Sequence, residues 1–245
     1  MKAMIFAAGK GTRLKPLSDT MPKALVRLGG KPLLEHIILK LKAAGFNEII
    51  INIHHFGEQI IDFLNKNNNF GIKIAISDER AALLDTGGGL RKAAWFFDDN
   101  QPFLVHNVDV FSNVDLGKFY DNHLKNNSLA TLVVGQRQTQ RYFLFDEKNC
   151  LRGWTNIATK EIKPAELQIV DNLIKLAFAG IQIFSPQVFA LLEKVKETKF
   201  SLTDFYIQNA KNQCFKAYIP SNFQMIDVGK IESLQQAEKF EKWKY

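Results

Sequence analysis

The run Glu48–Ile53, EIIINI, restricts the fold more than any other stretch of this chain. It holds four isoleucines and no polar–apolar alternation, so neither face of a strand built from it tolerates water. A strand covered on both sides belongs in a sheet sandwiched between helices. The neighbouring segments agree. Residues 2–8 read as a first strand. Residues 32–44 carry Leu33, Leu34, Ile37, Ile38, Leu41 and Ala44 at helical spacing, with Pro32 suited to the first turn and Gly45 to the stop. A short helix over 57–64 and a strand over 72–77 follow. The triplet Gly87-Gly88-Gly89 then opens a helix running to Phe96, ahead of a strand over 102–106, a helix over 116–124 and a strand over 129–134.

This βαβα order predicts an α/β fold: a Rossmann-like, mostly parallel sheet with helices on both faces and ligands beyond the carboxyl ends of its strands. The second half changes character. Residues 142–145 and 151–154 flank the polar turn Asp146-Glu147-Lys148-Asn149 and predict an antiparallel hairpin. Another strand is expected over 177–184, and a helix over 230–245 with Ile231, Leu234, Ala237 and Phe240 on one side, for core packing or a homodimer contact. With no linker at the change, the chain reads as one domain, 1–245, with a small antiparallel excursion facing the substrate.

Composition narrows the function classes. A chain of 245 residues buries a core without disulfides, and no apolar stretch is long enough to span a bilayer. Residues 1–8 have the cation and apolar residues of a secretory signal, but the run is too short and gives way to Gly-Lys-Gly-Thr-Arg. A cytoplasmic protein with Cys150 and Cys214 both reduced is expected, and two cysteines so far apart make no zinc site alone. The 32 Lys and Arg against 25 Asp and Glu are scattered without a block of like charge, which disfavours nucleic acid as a partner.

The stretch AAGKGTRLKPLSDTMPKAL, residues 7–25, follows the first strand. It fails the dinucleotide pattern because Leu14 occupies the third glycine position, and the P-loop pattern because Leu14-Lys15-Pro16 stands where Gly-Lys-Ser/Thr is needed. What remains is a glycine loop whose backbone N–H groups can approach an anion, with Arg13 and Lys23 able to fold back over it. Asp109 and Asp227 each follow an apolar strand, where aspartates either cap loops or grip a hard divalent cation. Thr86-Gly87-Gly88 sits where N–H groups either cap a helix or read a base. Glu79 and His54 are further base-side candidates. His54 and His55 are adjacent on a strand exit and point to opposite faces, so they do not share a metal. His106 reads as a core histidine.

From Gly9 to Ser18, with Met21-Pro22-Lys23-Ala24-Leu25-Val26, the chain resembles the signature of the sugar-1-phosphate nucleotidylyltransferases, or NDP-sugar pyrophosphorylases. Further matches follow in family order at Asp85-Thr86-Gly87-Gly88, Asn107-Val108-Asp109-Val110, Phe178-Ala179-Gly180-Ile181 and Ile226-Asp227-Val228-Gly229. Ser18 replaces the usual threonine, and Val108 stands where relatives often have glycine, a Cβ that would either crowd the substrate or restrict the turn. The resemblance implies transfer of a nucleotidyl group from an NTP to a sugar 1-phosphate. Arg13 would clamp the triphosphate and the departing pyrophosphate, and Lys23 the α-phosphate or the incoming sugar phosphate. Backbone at Ala7, Ala8 and Gly9 would hold base and ribose, and Gly11 and Thr12 the phosphates. Asp109 and Asp227 would share Mg2+, and Asn107 and Gly180 would meet the sugar. Glu166, Asn172 and Asp204 are further sugar-side candidates, while Arg141, Lys160 and Lys163 compete for the sugar phosphate. Within the family, the Thr-Gly-Gly-Gly run and the single helix after Gly229 resemble the N-acetylmuramate-1-phosphate uridylyltransferases of cell-wall recycling, using UTP. The mannose-1-phosphate guanylyltransferases are the alternative, and a non-catalytic nucleotide-sugar sensor the competing class.

Overall fold

In the computed structural model, which describes residues 1–167 and 172–238, the strand Glu48–Ile53 lies inside a sheet, with Ile49 to Ile53 all buried. It pairs in parallel with Lys2–Phe6 on one side and Lys73–Asp78 on the other. Phe103–Asn107 adds a fourth parallel strand beyond Lys2–Phe6. The side chains alternate between two cores. Ala3, Ile5, Ile49, Ile51 and Ile53 face one, together with the helices Leu33–Ala43, Gly57–Lys66, Leu116–Lys125 and Ile231–Glu238. Met4, Ile50, Phe103 and Val105 face the other, under Asp85–Lys92, Val188–Leu192 and Leu202–Asn209. Both faces are dry, which is why EIIINI has no polar stripe.

The sheet continues antiparallel. The long strand Ile174–Phe184 pairs through its carboxyl end with Phe103–Asn107, and from Ala177 onward with Ala130–Gly135, beside which Phe215–Tyr218 runs in parallel. Its amino half pairs with Arg141–Phe145, the first strand of the expected hairpin, and Leu151–Asn156 and Glu161–Lys163 complete that meander. The register of the long strand breaks between Phe178 and Gln182, around Gly180 at φ +73°. Glycine is needed at 180 twice over: for that backbone conformation, and because a Cβ there would lie 2.6 Å from Asn107 Nδ2.

Two expectations change. The glycine triplet does not open its helix; Asp85–Lys92 contains it, and a separate turn, Ala94–Phe96, follows. Glycine is required inside this helix because other segments lean on it: a Cβ would lie 2.3 Å from the Phe200 ring at Gly87, 2.4 Å from the Thr198 carbonyl oxygen at Gly88 and 2.7 Å from Glu79 Oε1 at Gly89. Close approach outweighs glycine's poor helix propensity. The carboxyl-terminal helix spends Leu234 and Ala237 on the core, with Ile231 packed against it, so these residues are not a surface for a second copy. Phe240 and the rest of the helix expected to reach 245 lie outside the described residues.

Two buried histidines make this packing sensitive to acid. His106 is fully enclosed, and burial, then the charge of Lys40, pushes its pKa down to about 3. His123 bonds Thr131 Oγ1 at 2.8 Å and Ser185 Oγ at 3.1 Å, and burial takes it to about 4. Both are held neutral when folded but charge near 6.5 when unfolded, so the unfolded chain binds more protons below that pH. The histidines' contribution is therefore complete above pH 6.5 and falls as pH drops toward 4, by up to about 1.4 kcal/mol per pH unit per histidine. Urea midpoints measured at pH 7.5, 5.5 and 4.5 should show the decline, and His123→Gln should flatten part of it.

Candidate active site

Three parallel strands finish on one line: Phe6 lies beside Asn52 on one side and Asn107 on the other. The segments leaving this carboxyl edge line a cleft of about 350 Å³. Its walls include Ala7, Ala8, Gly9, Lys23, Glu79, Thr86, Asn107 and Asp109 from the expected set. Asn52, Leu83, Asp85, Val108 and Lys199 join them.

The loop after the first strand is held by its least polar member. Leu14 is fully buried and pins the turn Thr12–Leu14 to the core, which explains why the dinucleotide pattern fails at that position. Gly11, at φ +66°, lets the chain fold back so tightly that a Cβ would lie 3.0 Å from Lys23 Cβ. Ser18 Oγ donates to the Gly11 carbonyl at 2.7 Å, so serine suffices where threonine was expected. The turn accommodates Val108: its N–H donates to the Phe6 carbonyl at 3.2 Å and its side chain packs in the core, at the border of the cleft.

A buried polar chain fixes the cleft floor. Asn52 Oδ1 accepts from the N–H groups of Ala7 and Ala8, at 2.7 and 3.3 Å. Asn52 Nδ2 donates to Glu79 Oε1 at 2.8 Å, and Glu79 Oε2 accepts from the Leu84 N–H at 3.1 Å. Asn52 was missed as a site residue although it was visible as the one amide inside EIIINI. His54 is not in the cleft wall; its Nδ1 is buried without a hydrogen-bond partner. The helix Asp85–Lys92 offers its N–H groups differently from expectation. Gly87 and Gly88 donate to the Phe200 carbonyl, at 2.9 and 3.3 Å, while Thr86 Oγ1 accepts from Leu202 N–H at 2.9 Å. These contacts strap residues 198–202 to the helix and bring Lys199 to the cleft.

The charged residues meet at Gly229. The short strands Val110–Ser112 and Met225–Asp227 pair antiparallel, with Asp227 opposite Val110, and Val228 N–H donates to the Asp109 carbonyl at 2.9 Å. Asp109 and Asp227, 118 positions apart, thus become neighbours. Lys23 forms an ion pair with Asp109, both side chains nearly buried. A Cβ on Gly229 would lie 2.7 Å from Arg13 Nη2, 2.7 Å from Asp227 Oδ1 and 3.2 Å from Lys23 Nζ. Two cations and a carboxylate therefore share the space that this glycine leaves open, with the second carboxylate on Lys23.

A second cavity, of about 740 Å³, takes Arg13 and Asp227 into its wall, so Gly229 stands between the two spaces. The antiparallel annex supplies Arg137, Thr139, Arg141, Tyr142, Phe143 and Trp154, and the last two elements add Lys230 and Ser233. Four cations, Arg13, Arg137, Arg141 and Lys230, thus face one carboxylate, Asp227. Of the competing basic residues only Arg141 lies here. Lys163 sits 5.5 Å from the Trp154 ring and near Glu161 and Asp204, and Lys160 is exposed on a turn. Asp204 is occupied with Ser201 at the helix start, accepting at 2.6 Å from its hydroxyl. Glu166 and Asn172 are exposed and outside the cavity wall.

Among the described residues no cluster of three or more His, Cys, Asp or Glu could hold a metal by itself. Two adjacent carboxylates nonetheless fit magnesium, which takes oxygen ligands and usually binds through one or two carboxylates completed by substrate phosphates and water.

A likeness to known proteins accompanies this geometry. The N-acetylmuramate α-1-phosphate uridylyltransferase of Neisseria meningitidis serogroup B is 48% identical over 115 residues, 47% of this chain and 49% of that protein. The UTP–glucose-1-phosphate uridylyltransferase of Synechocystis is 30% identical over 97% of this chain and 62% of its own. The mannose-1-phosphate guanyltransferase of Yarrowia lipolytica is 35% identical over 79% and 52%. The matches thus span about half to three-fifths of these relatives' lengths. Among solved structures, HddC from Yersinia pseudotuberculosis complexed with GMP-PN superposes with a TM-score of 0.77 at 24% identity, covering 97% of this chain and 98% of that one. UDP-glucose pyrophosphorylase from Acinetobacter baumanii gives 0.76 at 19%, covering 97% and 91%. At these identities the two structures speak for the fold alone. No helix among the described residues is long and apolar enough to cross a membrane. The nucleotidyl transferase family model matches residues 2–243, and the chain belongs to that family.

Proposed function

We propose that this protein transfers a nucleotidyl group from a nucleoside triphosphate to a sugar 1-phosphate and releases pyrophosphate. The observation that carries this is the meeting of Arg13, Lys23 and Asp227 around Gly229, with Asp109 on Lys23, between two cavities. The acceptor's phosphate oxygen is already an anion, so its in-line attack on the α-phosphorus needs no general base. Alignment and charge neutralisation remain to be supplied, which agrees with a site of cations and carboxylates rather than a nucleophile and base. In this reading the smaller cleft takes the nucleotide and the larger cavity the acceptor. Arg13 steadies the departing pyrophosphate, and Lys23 exchanges Asp109 for the α-phosphate. Asp109 and Asp227 would hold magnesium, which when bound neutralises phosphate charge. A sensor that only binds nucleotide sugars has no need to keep both cations and both carboxylates together, so the enzyme reading is preferred.

For the substrates we favour UTP with N-acetylmuramate 1-phosphate, in the cytoplasm. The 48% identity to the Neisseria relative supports this pair. So does the cation excess of the larger cavity: N-acetylmuramate adds a carboxylate to the phosphate, a partner for a second guanidinium fork, whereas mannose 1-phosphate has none. Pyrophosphate release should be measured with magnesium, each NTP and a panel of sugar 1-phosphates. UTP with N-acetylmuramate 1-phosphate should turn over roughly tenfold or more faster than UTP with N-acetylglucosamine 1-phosphate, which lacks the carboxylate. Arg137→Gln with Arg141→Gln should narrow that ratio. Turnover of GTP with mannose 1-phosphate alone would favour the guanylyl reading, and no release with any pair would favour the sensor.

Arg13→Ala and Lys23→Ala should each lower kcat by about a hundredfold or more, the loss of about 3–4 kcal/mol of transition-state contact; Tm should change little in Arg13→Ala and fall in Lys23→Ala, which strips the nearly buried Asp109 of its partner. Gly229→Ala should do the same by a different route, since its methyl would occupy the space of Arg13 Nη2 and Asp227 Oδ1. Near-normal turnover in all three would refute the assignment.

A further inference from the structure

Far from each other in sequence, the two cysteines end beside one another. Cys150 Sγ lies 3.2 Å from Cys214 Sγ across a separation of 64 positions, and both thiols are half-buried and unbridged. The backbone around them is fixed on both sides. Asp146 and Cys150 close the hairpin turn, with Asp146 N–H donating to the Cys150 carbonyl at 3.0 Å and Asp146 Oδ1 accepting from Cys150 N–H at 2.9 Å. That turn docks on the strand Phe215–Tyr218: Ala217 N–H donates to the Asn149 carbonyl at 2.9 Å, and Cys150 stands opposite Lys216 in an isolated antiparallel bridge. Cys214 is tied by its carbonyl to Leu129 N–H at 2.9 Å. The sulfurs therefore meet because two hydrogen-bonded segments present them.

We propose that Cys150 and Cys214 form a modification site, a dithiol that takes a low-molecular-weight disulfide as its co-reactant and closes into a cross-link between the hairpin and the central sheet. One protein thiolate attacks RSSR, giving a mixed disulfide and one RSH. The second protein thiolate attacks the protein sulfur of that bond and expels the other RSH. Two protein thiols are oxidised, one RSSR is reduced to two RSH, and the two thiol protons leave with them. The placement gives the bond a consequence. The hairpin's strands, Arg141–Phe145 and Leu151–Asn156, carry Arg141, Tyr142, Phe143 and Trp154 into the larger cavity, and the cross-link would tether their connecting turn.

The test is incubation of the folded wild-type protein with oxidised glutathione, followed by intact mass, thiol titration and thermal melting. The expected product has lost two hydrogens, carries no glutathione, titrates no thiol, and yields a 150–214 cross-linked peptide. Its Tm should rise by about 5 °C or more, because a loop of this length is constrained in the unfolded chain, and dithiothreitol should reverse the rise. Cys150→Ser and Cys214→Ala should each gain one glutathione or none, and neither should show the Tm rise. Two free thiols persisting in the wild type, two attached glutathiones, or the same Tm rise in either variant would overturn the proposal. None of these readouts depends on the catalytic assignment.

Discussion

The site depends on the register of three parallel strands. Because Phe6, Asn52 and Asn107 lie side by side, the loops after them leave the sheet at one level and form a single rim. At such an edge the backbone runs out of ladder partners, and buried N–H groups left unpaired are costly. Asn52 resolves this by accepting from both Ala7 and Ala8, and Glu79 holds the amide in place from the next strand exit. The glycine loop is thus braced from below by a buried amide and carboxylate. The start of the loop is thus held without its cations, and Lys23 reaches across to Asp109.

The charge cluster follows from a different constraint. Two cations and two carboxylates brought together from distant segments must neutralise one another when no phosphate is present, since partly buried charges without partners destabilise the fold. The Lys23–Asp109 pair does this. In the proposed reaction, its exchange for a phosphate on one side and a metal on the other would replace one set of charge pairs by another. Gly229 makes this compatible with packing, because any side chain there would separate the groups.

Much of this was legible. EIIINI, the βαβα order and the glycine–cation loop fixed the sheet, its covered faces and the position of the rim, because hydrophobic periodicity and turn chemistry are local signals. The hairpin around Asp146–Asn149 was visible for the same reason. Contacts that no local pattern encodes were not. The triplet at 87–89 looked like a helix opening because glycine is read first as a turn residue, yet its cause is the pressure of Thr198, Phe200 and Glu79 from elsewhere in the chain. His54 looked like a base-side residue from its place after a strand, but the cleft wall passes it by. Asp204 carried a suitable charge whose hydrogen bonds are already spent on a helix start. Arg137 and Lys199 were overlooked because a lone basic residue in a loop gives no signal until the fold shows what lies beside it.

The long strand Ile174–Phe184 explains why the two cavities differ in how they are encoded. Its last residues are core, locked between Phe103–Asn107 and Ala130–Gly135; past the irregularity at Gly180, Ala177 and Phe178 still pair with Gly135 and Val134, and residues 174–176 become the base of the annex. The smaller cleft is therefore built on the rigid rim, and its residues come mostly from strand exits whose spacing is dictated by the sheet. The larger cavity is walled mostly by the annex, whose strands pair with one another and with residues 174–176 of one core strand, their connecting turn docking on Phe215–Tyr218. Side chains there, such as Arg141 and Trp154, can change without disturbing Asn52, Glu79 or Gly229. In the proposed assignment, acceptor preference would thus be separable from the grip on the nucleotide, and the place to look for it is the set of side chains the annex turns toward Arg13 and Asp227.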